Sequence, residues 1–172
     1  MAMGGMAMEK ADKLKYLQGG MLFLASVANG LEELFGRGSP GVTFRAGRTA
    51  GLKAQVERTE TDLLGAFAAL REELVRMGIR WDFEPYKKQS ETDLIVHGEE
   101  GEQLKIIFRD CMVRSCQFHY GHPQKNSLCM LQHGIFCGLL QQIYGAWADY
   151  TPIHSGENAC IGLLTVKPKK PE

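Results

Sequence analysis

Apolar side chains recur at three- and four-residue steps from Lys10 to Phe35, at Leu14, Leu17, Met21, Leu24, Val27, Leu31 and Leu34. That spacing predicts an amphipathic helix. Gly19-Gly20 weakens its middle, at roughly 1 kcal/mol per glycine, and predicts a kink or a break there. Gly36-Arg37-Gly38-Ser39-Pro40-Gly41 is the strongest turn cluster in the chain and predicts the helix stop. In the next stretch Val42-Thr43-Phe44 is β-prone, but Gly47 and Gly51 stand four apart in what also reads as a helix running on to Arg58. Glycines at that spacing let another backbone approach closely. The alternative is a loop whose N–H groups cradle an anion with Arg45 and Arg48, although the spacing matches no phosphate-loop pattern.

Thr59-Glu60-Thr61-Asp62 offers a capping sequence with Thr59 as N-cap. The stripe Leu63, Phe67, Leu70, Leu74 and Met77 then predicts a second amphipathic helix, ended by Gly78. From Ile79 to Tyr86 the pattern changes to period two, Ile79, Trp81 and Phe83 alternating with Arg80, Asp82 and Glu84, which predicts a strand with one buried face. Thr92–His97 and Leu104–Arg109 read as two more strands, joined through Gly98-Glu99-Glu100-Gly101 as a hairpin. A helix over Leu128–Gly145 and strands around Trp147–Ile153 and Cys160–Val166 complete the pattern. Strands joined by short turns predict an α+β domain, an antiparallel sheet flanked by helices, in place of a parallel α/β fold.

The 172 residues fit one domain, expected over residues 9–167 between a flexible lead (1–8) and a loose tail (168–172). Lys+Arg and Asp+Glu are both 20, so the net charge is zero and gives no electrostatic case for nucleic acid or an anionic membrane as partner. The apolar run Met21–Ala28 is far shorter than the ~20 residues a bilayer span needs. Five cysteines with no secretory signal before them predict a cytoplasmic protein with reduced thiols. Such thiols are ligands, reactive groups or core filler.

Cys129, His133 and Cys137 are spaced by four and share one face of the Leu128–Gly145 helix, with Gln141 a turn further on. Groups at i and i+4 can reach one metal ion. Cys137 also reads as buried filler between Gly134 and Gly138, whereas Cys129 opens the helix, where the macrodipole favours a thiolate. Cys111, Cys116, His119 and His122 form a second cluster, soft donors of the kind zinc takes, at a spacing foreign to zinc fingers; solvated imidazoles in a surface loop are the other reading. Four cysteines would also suffice for an iron–sulfur cluster, but no Cys-x-x-Cys run supports one. Glu157 and Cys160 stand three apart at the mouth of the last strand, as site residues or as a turn residue and a first core position. No Gly-x-Ser-x-Gly, His-Glu-x-x-His or dinucleotide fingerprint is present. A Cys–His nucleophilic pair, Cys129 with His133 or His154, is the one enzymatic alternative the residues leave open.

Two sets of residues carry a family resemblance. One is Thr43-Phe-Arg-Ala-Gly-Arg-Thr-Ala-Gly51; the other joins Phe108-Arg-Asp-Cys111, Cys129-Met-Leu-Gln-His-Gly134-Ile-Phe-Cys-Gly138 and Glu157-Asn-Ala-Cys160. With the order of elements they make residues 14 to 167 resemble the 4-vinyl reductase family of small-molecule-binding domains. The resemblance implies a fold similar to the subunits of the vesicle-tethering trafficking complex, a homodimer formed through a helix face, and a hydrocarbon-like or aromatic ligand. It also implies zinc beside the pocket, with Cys129, Glu157 and Cys160 as ligands. The family's last cysteine is missing, Lys167 and Pro168 standing where it would fall, so Cys111, Cys116 or a histidine must complete the set. In this light Trp81, Phe83, Phe108, Phe136, Tyr144, Trp147 and Tyr150 are a generous supply of aromatics for one core, and the first six are expected to line the ligand cavity, with ordinary core packing as the alternative for each.

The expectation is therefore a binding domain for an apolar or aromatic small molecule. The alternatives are a component of tetrapyrrole vinyl reduction, which would take its electrons from a partner or a metal centre, and an interaction protein that dimerises through its helices.

Overall fold

The computed structural model describes residues 3–111, 113, 114, 120, 121 and 123–167, with side chains from Lys15 onward, Tyr16 excepted. Helix α1 spans Met3–Phe35, α2 Ser39–Lys53, α3 Leu63–Arg76 and α4 Ser127–Tyr144, and a 3-10 turn at Gly36–Gly38 joins α1 to α2. The strands are β1 (Asp82–Pro85), β2 (Ile95–Gly98), β3 (Gly101–Asp110), β4 (Trp147–Ser155) and β5 (Cys160–Lys167). All pair antiparallel in the order β1-β3-β5-β4, and β2 pairs with the first half of the same β3 edge that β1 uses further along. The α+β architecture is thus the one the pattern predicts.

Several local expectations change. The break at Gly19-Gly20 does not occur, because glycine lowers helix propensity without removing a hydrogen-bond donor. The helix also begins at Met3, within the expected 1–8 lead. The Gly36–Gly41 cluster turns the chain within three residues and then starts α2 at Ser39 with Pro40 in its first turn, so Val42-Thr43-Phe44 is helical. The cap of α3 is Asp62, whose carboxylate accepts from Gly65 N at 2.8 Å; Thr59 lies in the irregular segment before it.

The inner face of the sheet carries Leu104, Ile106, Phe108, Ala148, Tyr150, Leu164 and Val166, all buried. α3 and α4 cover it with Phe67, Leu70, Phe136, Leu140 and Ile143, and the rings of Phe67, Phe83, Phe108 and Phe136 meet at 5.1–6.0 Å, mostly edge to face. α2 lies on α4 with backbones in contact. A Cβ on Gly51 would stand 2.5 Å from Ile135 O, and one on Gly47 within 3.0 Å of Ile135 N and closer still to Leu131 O. Gly134 and Gly138 make the same allowance from the other side.

α1 touches the body through Ala28 and Met21 and through the hydrogen bonds of Glu32. Ala28 packs with Leu128 and Val113, and Ala25 is buried, whereas Leu17, Val27 and Leu34 of the predicted apolar side are 47–79% exposed in the single chain, as is the neighbouring Phe23. Among the described residues no helix is long and apolar enough to cross a membrane.

A candidate binding cleft at the start of helix α4

The first turns of α4 end over the C-terminal end of β3, where β4 and β5 converge. Sheet register sets Phe108 and Ser155 on either side of Cys160. A small cleft opens between these elements, with room for about 20 Å³, enough for one water or ion. From α4 come Cys129, Gln132 and His133; from the sheet Phe108, Tyr150, His154 and Cys160; Cys111, just past β3, Arg114 and Lys125 complete the described lining with Pro152 and Ser155.

Local structure fixes each group. The N-cap of α4, Asn126, makes no side-chain cap of its own. Glu32 of α1 replaces it, its Oε1 accepting from Ser127 N at 3.0 Å and its Oε2 from Asn126 Nδ2 at 3.2 Å. Tyr150 has space because Gly162 faces it across the β4–β5 pair: a Cβ on Gly162 would lie 2.6 Å from Tyr150 Cε2, and closer still to Cζ and the hydroxyl. Arg114 is held by its Nη1, which donates to Arg109 O at 2.6 Å and Asn158 O at 3.1 Å.

Burial dominates the electrostatics. His133 is 7% exposed, and burial lowers its pKa to about 3, so the imidazole is neutral. Its ring stacks on Tyr150 and meets Phe108 edge-on at 5.5 Å, while Nδ1 has no hydrogen-bond partner among the described residues. Burial likewise raises the Tyr150 hydroxyl above its ordinary value, and the Cys111 thiol, where the Arg114 N–H partly offsets it. As it stands this corner sets ring surface and an imidazole nitrogen without a partner among the described residues around room for a single water or ion. A neutral imidazole supplies a donor or an acceptor according to tautomer.

The residues expected at the site divide. Cys111, Cys129 and Cys160 come to one cleft wall, and Phe108 joins them. Glu157 is exposed in the β4–β5 turn and is not part of that wall, and Cys116, His119 and His122 lie outside the described residues. Among the described residues no three of His, Cys, Asp and Glu gather closely enough to hold a metal ion. Trp81, Phe83 and Phe136 are packed into the core at 0–6% exposure. Tyr144 stands at the far end of α4, its hydroxyl donating to Glu102 Oε2 at 2.8 Å beside a separate open groove of about 530 Å³. Trp147 is 45% exposed, with the guanidinium of Arg48 3.5 Å above its ring. Cys137 is fully buried beside Arg48, as filler between the two glycines.

The expected set omits Tyr150, Arg114, Lys125, Gln132 and Glu32. Only Tyr150 carries a signal in the sequence, as a further aromatic at an inward position of a strand.

No family model and no curated protein matches the chain. Among solved structures, the phenol-responsive sensory domain of the transcription activator PoxR, crystallised with phenol, superposes with a TM-score of 0.57 at 14% sequence identity. The match covers 84% of this chain and 74% of that one, and at this identity it shows a shared fold.

Proposed function

We propose that this domain binds a small molecule with an aromatic or apolar body, seated in the cleft between α4 and the sheet, as 4-vinyl reductase-type domains are expected to do. The observation that carries the reading is His133, a buried imidazole on the cleft wall whose Nδ1 has no partner among the described residues. A buried polar atom left without a hydrogen bond costs about 1–3 kcal/mol, and a ligand atom that pairs with it recovers part of that. Tyr150 and Phe108 supply ring surface around it. The sensory domain of like fold was crystallised with phenol, which supports the ligand class. The cleft takes about 20 Å³ as it stands, so a ring-sized ligand must widen it.

Native mass spectrometry of the protein purified from its source, followed by phenol titration read by intrinsic fluorescence, tests the proposal. A co-purified small molecule or saturable phenol binding, lost in Tyr150→Ala, supports it. A protein that carries nothing and ignores phenol and its analogues leaves the fold as an interaction scaffold.

Zinc remains a second element of the proposal. Cys111, Cys129 and Cys160 are soft donors on one wall. Among the described residues they do not form a ready metal-binding set, and Glu157 is exposed and outside the cleft lining, so ligand binding is not routed through a metal. Zinc near one per chain, lost in Cys129→Ser, supports the ion; metal-free protein that still binds ligand removes it. The exposed Leu17, Phe23, Val27 and Leu34 side of α1 supports the expected homodimer, to be tested by sedimentation of wild type and Phe23→Glu.

A further inference from the structure

The cleft wall has a one-sided charge. Arg114 and Lys125 are among its lining residues, and none of the described side chains that line it is an Asp or a Glu. The chain as a whole has as many acidic as basic residues, so a basic composition does not account for the asymmetry. Arg114 is placed in a way that suggests an absent partner, and Lys125 stands beside it on a constrained backbone. The guanidinium of Arg114 is locked by the carbonyls of Arg109 and Asn158 on Nη1, which leaves Nη2 out of contact with solvent and without a hydrogen-bond partner among the described residues. Lys125 has φ 64, the one non-glycine in the left-handed region among the described residues. Strained backbone of this kind persists only where its surroundings over-determine it, and it concentrates at ligand clamps.

We infer that the molecule bound in this cleft is an organic anion, its carboxylate held by Arg114 and Lys125 and its apolar body lying toward Tyr150, Phe108 and His133. The inference rests on the small-molecule reading above and narrows it from a neutral aromatic or hydrocarbon to an amphipathic acid. The chemistry is that of charge-assisted hydrogen bonding. A guanidinium whose Nη2 has no partner among the described residues and a nearby ammonium together match the two oxygens of a carboxylate, whereas a neutral hydroxyl would leave the buried guanidinium without a counter-charge.

Amide and acid of the same shape separate charge from fit. Benzoate against benzamide, and hexanoate against hexanamide, are titrated calorimetrically into the full chain at pH 7. Each acid is expected to bind roughly ten- to a hundredfold tighter than its amide, the range of one or two charge-assisted bonds. That ratio should collapse toward one in Arg114→Gln and fall in Lys125→Gln. The lysine variant leaves the two carbonyl bonds of Arg114 in place, so it remains a test if Arg114→Gln folds poorly. Amides that bind as tightly as acids overturn the anion and leave the small-molecule reading standing. An acid preference that survives both substitutions overturns the assignment to this pair. Failure of all four compounds to bind overturns the anion together with the reading beneath it.

Discussion

The imidazole of His133 lies over the ring of Tyr150, centroids 4.0 Å apart and planes inclined at 31°. A neutral ring stacks there without penalty, and burial keeps it neutral by lowering its pKa to about 3. In the unfolded chain the same imidazole protonates near ~6.5. Between these two values the unfolded state binds the extra proton, so the contribution of His133 to stability is complete above the unfolded pKa and is lost as pH falls toward 3. His133→Phe keeps an aromatic ring beside Tyr150 and removes the titration. Urea unfolding is expected to show the variant gaining on wild type as pH drops from 7 to 4.5, by on the order of 2 kcal/mol. Parallel pH profiles for the two proteins would mean that His133 is hydrated or paired, and would remove the main support for the ligand site.

Gly162 is the complement of Tyr150. The space a Cβ would need is already filled by the tyrosine ring, so Gly162→Ala is expected to push Tyr150 out of its place and weaken phenol or benzoate binding along with stability. In a Tyr150→Ala background the same glycine substitution should cost far less. A double-mutant cycle in urea should therefore show a coupling of about 1–3 kcal/mol. Additive effects would show that Gly162 serves the strand alone.

The sequence displays the fold better than the site because the two are written in different patterns. Period two in Ile79–Phe83 and the final strands, and the stripe from Leu63 to Leu74, are repeated signals, and the sheet and α3 follow them. The apolar run of α1 is equally regular, yet Ala25 and Ala28 face the body and Leu17, Val27 and Leu34 face out. Periodicity identifies a helix without saying whether its apolar side meets its own chain or another. At the cleft, Cys111, Cys129 and Cys160 are distinctive by type and do come together. Aromatic type alone could not separate Phe83 and Phe136, which interlock in the core, from Tyr150, which a glycine on the next strand admits to the cleft. Arg114 and Lys125 owe their roles to carbonyls 5 and 44 residues away and to one left-handed backbone angle, neither of which leaves a local trace.

The glycines between α2 and α4 make a separate prediction. Gly47 and Gly41 occupy the same helix, but a Cβ on Gly47 would collide with the backbone of α4, whereas one on Gly41 meets nothing within 4 Å. Gly47→Ala is expected to destabilise by at least about 2 kcal/mol through forced separation of the helices. Gly41→Ala should be neutral or stabilising by up to ~1 kcal/mol through helix propensity. Thermal melts of the two variants decide this, and equal effects would refute backbone contact between the helices.

Glu32 links the exposed helix to the cleft. Its carboxylate satisfies Ser127 N and the Asn126 amide at the start of α4, two residues before Cys129. An anion at a helix N-terminus that also accepts a backbone N–H contributes about 1 kcal/mol or somewhat more. Glu32→Gln keeps hydrogen-bonding capacity but loses the charge; Glu32→Ala loses both. Stability should therefore fall in the order wild type, Gln, Ala, with the alanine variant lower by roughly 1–2 kcal/mol. Because the first turn of α4 carries a cleft residue, hydrogen exchange at Leu128–Met130 should accelerate in Glu32→Ala while the amides at the other end of α4, near Ile143, keep their protection. Uniform acceleration along α4 would show that Glu32 acts on global stability alone. Unchanged exchange at 128–130 would show that the helix start is held without it.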